Sequence, residues 1–107
     1  MPDLQTRTAE LRQLDDQYNI HPFCDGKELH ERGATIIAKG SGSYVWDSDG
    51  KRILDGMAGL WCVNIGYGRD ELADVASSQM RELPFYNMFF QSTTPAQISL
   101  AKRLAEI

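Results

Sequence analysis

Residues 55–68 restrict the possible folds of this 107-residue chain more than any other segment, because glycines alternate there with large apolar side chains. The glycines are Gly56, Gly59, Gly66 and Gly68. So many glycines disfavour a helix, since each must lose extra backbone freedom on folding. Neighbours such as Leu60 and Trp61 are too apolar for an exposed linker. We therefore expect an irregular loop that lies against another surface.

A small antiparallel sheet is predicted before this loop. Residues 35–40 and 43–47 are rich in β-branched and aromatic side chains, and residues 51–55 resemble a returning strand. The sequence Asp47-Ser48-Asp49-Gly50 has the composition of a hairpin turn. It also resembles the start of a calcium loop, but no glutamate follows at the twelfth position, so the turn is favoured. We expect a three-stranded meander.

The N-terminal residues 1–20 predict a docking helix. Its apolar positions form one narrow stripe and are Leu4, Leu11, Leu14 and Tyr18. Four apolar side chains bury too little area to hold a helix alone, so this helix needs a surface to lie on. His21-Pro22-Phe23 ends it, because proline disfavours the helical conformation at the preceding residue. An irregular segment is expected from there to Gly33.

Two further helices are predicted in the second half of the chain. Asp70 is a candidate N-cap for a helix that runs to about Leu83, where Pro84 ends it. Thr94-Pro95-Ala96-Gln97 predicts the start of another helix, with a capping box and proline at the first helical position. Its apolar pattern continues to Ile107 without a stop signal. We therefore expect the natural polypeptide to continue beyond this residue.

Charge and hydropathy exclude several classes of function. Fifteen acidic side chains against eleven basic ones leave no positive excess to neutralise phosphates, so nucleic-acid binding is not expected. The longest strongly apolar run, residues 60–63, is far shorter than the roughly 20 residues of a membrane-spanning helix. The polar N-terminus lacks the pattern of a secretory signal, which favours a cytoplasmic location and reduced thiols at Cys24 and Cys62.

No catalytic or metal-binding pattern stands out. The lysines lie in polar or turn contexts, and Cys62 is interpreted as a small buried apolar side chain. Gly66-Tyr67-Gly68 is a lone GxG followed by acidic residues, which favours a turn over a phosphate-binding loop. Aromatic side chains at loop positions, including Phe23, Trp61 and those in 85–90, are typical of an apolar pocket wall, although they could equally plug a core.

The string Asp55-Gly-Met-Ala-Gly-Leu-Trp-Cys-Val-Asn-Ile-Gly-Tyr-Gly68 closely resembles the N-terminal segment of class III aminotransferases, the ω-transaminases. The resemblance is extended by His21-Pro22-Phe23, Tyr44-Val45-Trp46-Asp47 and Leu83-Pro84-Phe85-Tyr86-Asn87. It covers nearly the whole chain in order. It implies transfer of an amino group from a primary amine, whether a polyamine, an ω-amino acid or an aryl-alkyl amine, to pyruvate.

The resemblance also implies a fold and a division of the chain. The whole protein is then a fold-type-I α/β homodimer that depends on pyridoxal 5'-phosphate. This chain is an α+β fragment of it, with an N-terminal helix, a small antiparallel meander and two helices. Residues 1–20 are the docking helix, 21–68 the N-terminal part of the small domain, and 69–107 a helix, an aromatic loop and a helix that leads towards the large domain.

The family's motifs assign a substrate-pocket wall to four residues of this sequence: Phe23, Leu60, Trp61 and Phe89. Phe89 corresponds to an aromatic side chain that the family contributes across the dimer interface. The catalytic lysine and the cofactor-binding residues are expected beyond residue 107, so the fragment alone is expected to be inactive. The alternative interpretation is a stand-alone α+β module whose exposed apolar loop binds another protein.

Overall fold

The computed structural model describes residues 4–107, with side chains from residue 7 onward. It comprises two compact units, Met1–Gly68 and Arg69–Ile107. The elements, in chain order, are α1 (Leu4–Tyr18), α2 (Gly26–Arg32), β1 (Ile37–Ser41), β2 (Tyr44–Asp47), β3 (Arg52–Leu54), α3 (Ala58–Trp61), α4 (Asp70–Glu82) and α5 (Pro95–Ala105). Helices combined with a small antiparallel sheet confirm the predicted α+β class. Residues 1–3 of the predicted helix 1–20 lie outside the described part.

The three strands form the predicted antiparallel meander in the order β1-β2-β3. Val45 of β2 pairs with Gly40 of β1 and Ile53 of β3. At 8% exposure, Val45 is the only large apolar side chain that is buried among the described residues. The first unit therefore has a very small core, centred on the middle strand.

The β2–β3 connection is the hairpin turn that the sequence predicts. The Gly50 N–H donates to the Asp47 carbonyl oxygen at 3.0 Å, and Gly50 adopts a φ of 85°. The carboxylate oxygen Oδ1 of Asp47 accepts hydrogen bonds from the backbone N–H groups of Asp49 and Lys51 at 3.1 and 2.8 Å. This carboxylate therefore shapes the turn.

Helix α1 contacts the rest of the first unit through polar as well as apolar side chains. Arg12 Nε donates to the carbonyl oxygen of Ala34 at 3.0 Å. Leu11 is half-buried, whereas Leu14 and Tyr18 of the predicted stripe are exposed. The apolar stripe thus accounts for only part of the docking.

The expectation of an irregular segment from Pro22 to Gly33 is wrong, because α2 spans Gly26–Arg32. Asp25 is its N-cap, and its carboxylate accepts from the backbone N–H groups of Lys27 and Glu28 at 2.9 and 3.1 Å. Gly33 ends the helix with a φ of 71°. An aspartate cap and a terminal glycine are ordinary helix signals, and both were present in the sequence.

In the second unit, α4 begins at Asp70, with Arg69 at the N-cap position and without a side-chain capping bond. The prediction of Asp70 as N-cap is therefore wrong by one residue. An acidic residue in the first turn still interacts favourably with the helix dipole. The helix ends as predicted, because Leu83 is extended before Pro84.

Helix α5 begins as its sequence predicts. Thr94 is extended at the N-cap, and its hydroxyl oxygen accepts from the Gln97 backbone N–H at 3.4 Å. Pro95 occupies the first helical position. The helix ends at Ala105, short of the predicted Ile107. Among the residues from 4 onward, no helix is long and apolar enough to span a bilayer.

Candidate functional site

The Gly-rich segment after β3 forms a left-handed turn at residues 58–61. Four consecutive φ angles are positive there: 49° at Ala58, 60° at Gly59, 64° at Leu60 and 69° at Trp61. Left-handed backbone costs an L-residue roughly 1–2 kcal/mol, and only glycine adopts it freely. Three non-glycine residues in this conformation therefore require compensating interactions nearby.

The carboxylate of Asp55 supplies part of that compensation. Its oxygen Oδ1 accepts from the Met57 N–H at 3.2 Å, and Oδ2 accepts from the Gly59 N–H at 2.8 Å. Hydrogen bonds to an ionised carboxylate are roughly twice as strong as those between neutral groups. One side chain thus binds two backbone groups at the entry to the turn.

Tyr67 connects this carboxylate to the sheet. Its hydroxyl donates to Oδ2 of Asp55 at 2.6 Å. Its backbone forms a two-way antiparallel bridge with Gly42, through bonds of 2.9 and 3.0 Å. Its ring lies on Gly40, where an added Cβ would approach the ring to 2.7 Å. Gly66-Tyr67-Gly68 therefore connects the Asp55 carboxylate to the sheet. This structural role agrees with the predicted turn and not with a phosphate-binding loop.

The Asp55–Tyr67 contact changes the acidity of both groups. The hydrogen bond from Tyr67, followed by the bond from the Gly59 backbone, holds the pKa of the Asp55 carboxyl below its ordinary value. The same bond, together with desolvation and the negative charge of Asp55, raises the pKa of the Tyr67 phenol. At neutral pH an ionised carboxylate therefore accepts from a neutral phenol.

Two of the four predicted site residues lie together on the left-handed turn. Leu60 is 66% exposed and Trp61 is 85% exposed. Leu60 lines a recess of about 410 Å³ that also includes Asp55 and Tyr67. Trp61 lines a neighbouring recess of about 360 Å³ with Met57. The turn thus presents two large apolar side chains beside two open recesses.

Phe23 lies elsewhere in the first unit. It is fully exposed, has a φ of 55°, and lines a shallow recess of about 370 Å³ beside α2. Neither Leu60 nor Trp61 lines this recess, so the structure does not bring Phe23 together with them.

Phe89 belongs to the second unit, in the irregular segment between α4 and α5. It is 72% exposed, and its ring centroid lies 6.3 Å from that of Phe90. Its backbone N–H donates to the side-chain oxygen of Asn87 at 2.9 Å. The aromatic loop therefore presents Phe89 to solvent within its own unit.

Sequence reasoning missed the roles of Asp55 and Tyr67 in shaping the turn. The strand pattern predicts Asp55 only as the end of a strand, and the GxG pattern identifies Tyr67 only as part of a turn. One usable signal was present, since aspartate often bonds the backbone two residues ahead when a glycine follows. The Asp55–Tyr67 contact itself joins residues twelve positions apart and has no local signature.

The described lysines and cysteines lie at the surface. All four lysines are exposed: Lys27, Lys39, Lys51 and Lys102. Cys62 is exposed, so its interpretation as a buried side chain is wrong; the exposed turn carries it to the surface. Its thiol Sγ lies 3.4 Å from the Leu60 carbonyl oxygen.

Both histidines are engaged by aspartates of α1. His21 Nε2 lies 2.8 Å from Asp15, and His30 Nδ1 lies 2.7 Å from Asp16. The first contact and a hydrogen bond from Asn19 lower the pKa of Asp15, with the Asn19 bond the larger cause. These imidazoles therefore bind α1 to the segment that follows it.

Comparison with known proteins identifies the family. Residues 27–107 match the model of the class III aminotransferases. The putrescine–pyruvate aminotransferase of Pseudomonas aeruginosa is 54% identical over 101 residues, covering 94% of this chain and 22% of that protein. The crystal structure of an (S)-enantioselective ω-transaminase from Thermomicrobium roseum has a TM-score of 0.87 and 47% identity, covering 92% of this chain and 22% of that one.

A third similar structure is that of a thermostable ω-transaminase variant in which a tryptophan was replaced by glycine for the asymmetric synthesis of bulky amines. Its TM-score is 0.85 at 37% identity, covering 91% of this chain and 22% of that one. The chain belongs to the class III aminotransferases, which depend on pyridoxal 5'-phosphate as a family. It spans about a fifth of the length of the relatives named here.

Proposed function

We propose that this chain is the N-terminal portion of an amine:pyruvate aminotransferase and forms a wall of its substrate pocket. The observation that carries the proposal is the family match over residues 27–107, together with 54% identity to a putrescine–pyruvate aminotransferase. The donor is a primary amine and the acceptor a keto acid. Residues 21–68 contribute to the small domain, and 69–107 lead towards the large one.

The described residues do not fit a site for pyridoxal 5'-phosphate. Their lysines are exposed, and the backbone N–H and carbonyl groups of Tyr67 in the GxG segment are bonded to Gly42. We propose that the cofactor is bound by residues of the full-length protein that this chain does not include. When bound, it supplies an electron sink for the carbon that carries the amine.

The chain's own contribution is to exclude water and to select the donor by size. Leu60 and Trp61 present apolar surface beside open recesses, and apolar walls strengthen the electrostatic interactions within a closed site. A large indole restricts the space for a bulky amine. A related ω-transaminase carries a tryptophan-to-glycine replacement made for bulky amines, and we propose that Trp61 holds the corresponding position.

The large exposed surface supports completion of the pocket by further protein. Among the described residues, each unit exposes large apolar side chains, with Trp61 at 85% in the first and Phe90 at 94% in the second. Phe23 and Phe89 are among its exposed aromatic side chains. Phe23 borders the substrate entrance, and Phe89 contacts the pocket of a second copy across a homodimer interface.

The experiment replaces Trp61 by alanine in the full-length protein that carries these residues. Alanine formation from pyruvate is measured with putrescine and with a bulky aryl-alkyl amine. We expect kcat/KM for the bulky donor to rise about tenfold relative to putrescine, because removing the indole opens the pocket. Trp46→Ala is the matched control, because it also removes an indole, but from β2 and not from the turn. The Trp46 ring lies 5.3 Å from Lys39 Nζ.

An unchanged donor ratio in Trp61→Ala, or an equal change in both variants, would contradict the role of Trp61. Absence of alanine formation from the wild-type protein with every primary amine would contradict the aminotransferase assignment itself.

A further inference from the structure

We infer that Asp55 and Tyr67 are a positioning pair that sets the direction of Leu60 and Trp61, and through them the choice of amine donor. This inference rests on the proposed function of the turn as a pocket wall. It assigns neither residue to contact with the substrate or the cofactor.

The first argument is that described packing does not hold the two side chains. Leu60 and Trp61 are 66% and 85% exposed, so within this chain their directions follow mainly from the backbone of residues 58–61. That backbone is left-handed at three non-glycine positions. A conformation of this cost persists only where its surroundings enforce it.

The second argument is that Asp55 acts at the entry of the turn. Its two carboxylate oxygens accept from the Met57 and Gly59 N–H groups at 3.2 and 2.8 Å. Its own backbone N–H donates to the Ser43 carbonyl oxygen at 2.9 Å, which fixes the residue beside β2. The hydrogen bonds of Asp55 therefore fix the backbone of the turn relative to the sheet.

The third argument is that Tyr67 bonds the same carboxylate oxygen as the Gly59 N–H group. Its hydroxyl lies 2.6 Å from Oδ2 of Asp55, and an added Cβ on Gly59 would approach that hydroxyl to 2.9 Å. Its backbone bridge to Gly42 ties it to the β1–β2 turn. The hydroxyl thus restricts the movement of both the carboxylate and the turn. Its removal is expected to increase the mobility of the turn and to leave the sheet intact.

The test is a double-mutant cycle in the full-length protein, using Tyr67→Phe and Trp61→Ala. The measured quantity is the ratio of kcat/KM for a bulky aryl-alkyl amine to that for putrescine. We expect Tyr67→Phe to change this ratio about fivefold, because the ring stays on Gly40 and only the hydroxyl is lost. In the Trp61→Ala background the same substitution changes the ratio by less than in the wild type, since only the part of the effect that acts through Leu60 remains.

The control is Tyr44→Phe, which removes a hydroxyl from the sheet near Arg52, whose guanidinium lies 4.6 Å from the Tyr44 ring. It is expected to leave the donor ratio unchanged. A second readout independent of activity is hydrogen exchange at the Gly59 amide, which Tyr67→Phe accelerates about fivefold as the carboxylate becomes mobile.

Two results would overturn the inference. The first is that Tyr67→Phe has the same donor ratio as the wild type, although Trp61→Ala changes the ratio. This result overturns the positioning role and leaves the proposed function intact. The other is an equal effect of Tyr67→Phe with and without Trp61, which indicates a general structural role. If no amine is a donor, the proposed function fails, and unaltered exchange at Gly59 then overturns the positioning role separately.

Discussion

Gly59 is the residue whose identity the left-handed turn demands most strictly. Its φ is 60°, and an added Cβ would lie 2.9 Å from both the Tyr67 hydroxyl oxygen and Val63 Cγ2. Backbone preference and close approach therefore both exclude a side chain here. At the neighbouring positions of the turn, the longer side chains extend towards solvent.

Substituting Gly59 by alanine is expected to lower the free energy of unfolding by at least about 1–2 kcal/mol, because alanine pays the left-handed penalty and meets the hydroxyl of Tyr67. Gly26→Ala is the matched control. No atom lies within 4 Å of a Cβ added at Gly26, so a small gain of about 0.4–1 kcal/mol is expected from reduced freedom of the unfolded chain.

Chemical denaturation of the two full-length variants measures both effects. Equal stabilities of Gly59→Ala and Gly26→Ala would show that the turn relaxes into another conformation without cost, and would contradict the strained geometry.

At the scale of elements, local signals predicted much of the fold. β-branched and aromatic runs identified the strands, and the Asp47–Gly50 turn fixed their connection. Thr94 and Pro95 identified the start of α5. These features are set within a few residues of sequence, which is why they can be recognised there.

The candidate site was less accessible from the sequence. The loop pattern indicates Trp61 as a candidate for a pocket wall, whereas Leu60 is predicted only from the family resemblance. Their left-handed backbone depends on Asp55 and on Tyr67, which is distant in sequence, and local propensity argues against that conformation for leucine and tryptophan. Helix α2 is a different case, because its capping aspartate and terminal glycine are local signals that the sequence contains.

The Asp55–Tyr67 contact gives the turn a defined pH dependence. The pKa of Asp55 is lowered from 3.8, so its stabilising effect is present above that pH and is lost as pH falls through the folded-state pKa. The pKa of Tyr67 is raised from 10.0, so its effect is present below that pH and is lost as pH rises through the folded-state pKa. The turn is therefore most stable between these limits.

Asp55→Asn tests this coupling, because a neutral amide removes the negative charge that opposes ionisation of the phenol. We expect the pKa of Tyr67 to fall towards 10.0 in this variant. Ultraviolet difference titration against Tyr67→Phe, in the wild-type and Asp55→Asn backgrounds, isolates this one phenol. Identical titrations in the two backgrounds would contradict the contact.

At the scale of the whole molecule, many apolar side chains are exposed and few are buried. Only Val45 is buried among the described large apolar side chains, although 42% of the residues in the full sequence are hydrophobic. Helix α4 shows this clearly, since its apolar side chains Leu72, Val75 and Met80 are exposed. Such faces normally lie against protein, and they agree with a chain that covers a fifth of the named relatives.

The visible absorption spectrum of the full-length protein with pyridoxal 5'-phosphate tests the aminotransferase assignment most directly. The account predicts a band of bound cofactor that bleaches when putrescine or another primary amine donor is added and returns when pyruvate is added. A spectrum of free cofactor that neither amine nor keto acid alters would contradict it.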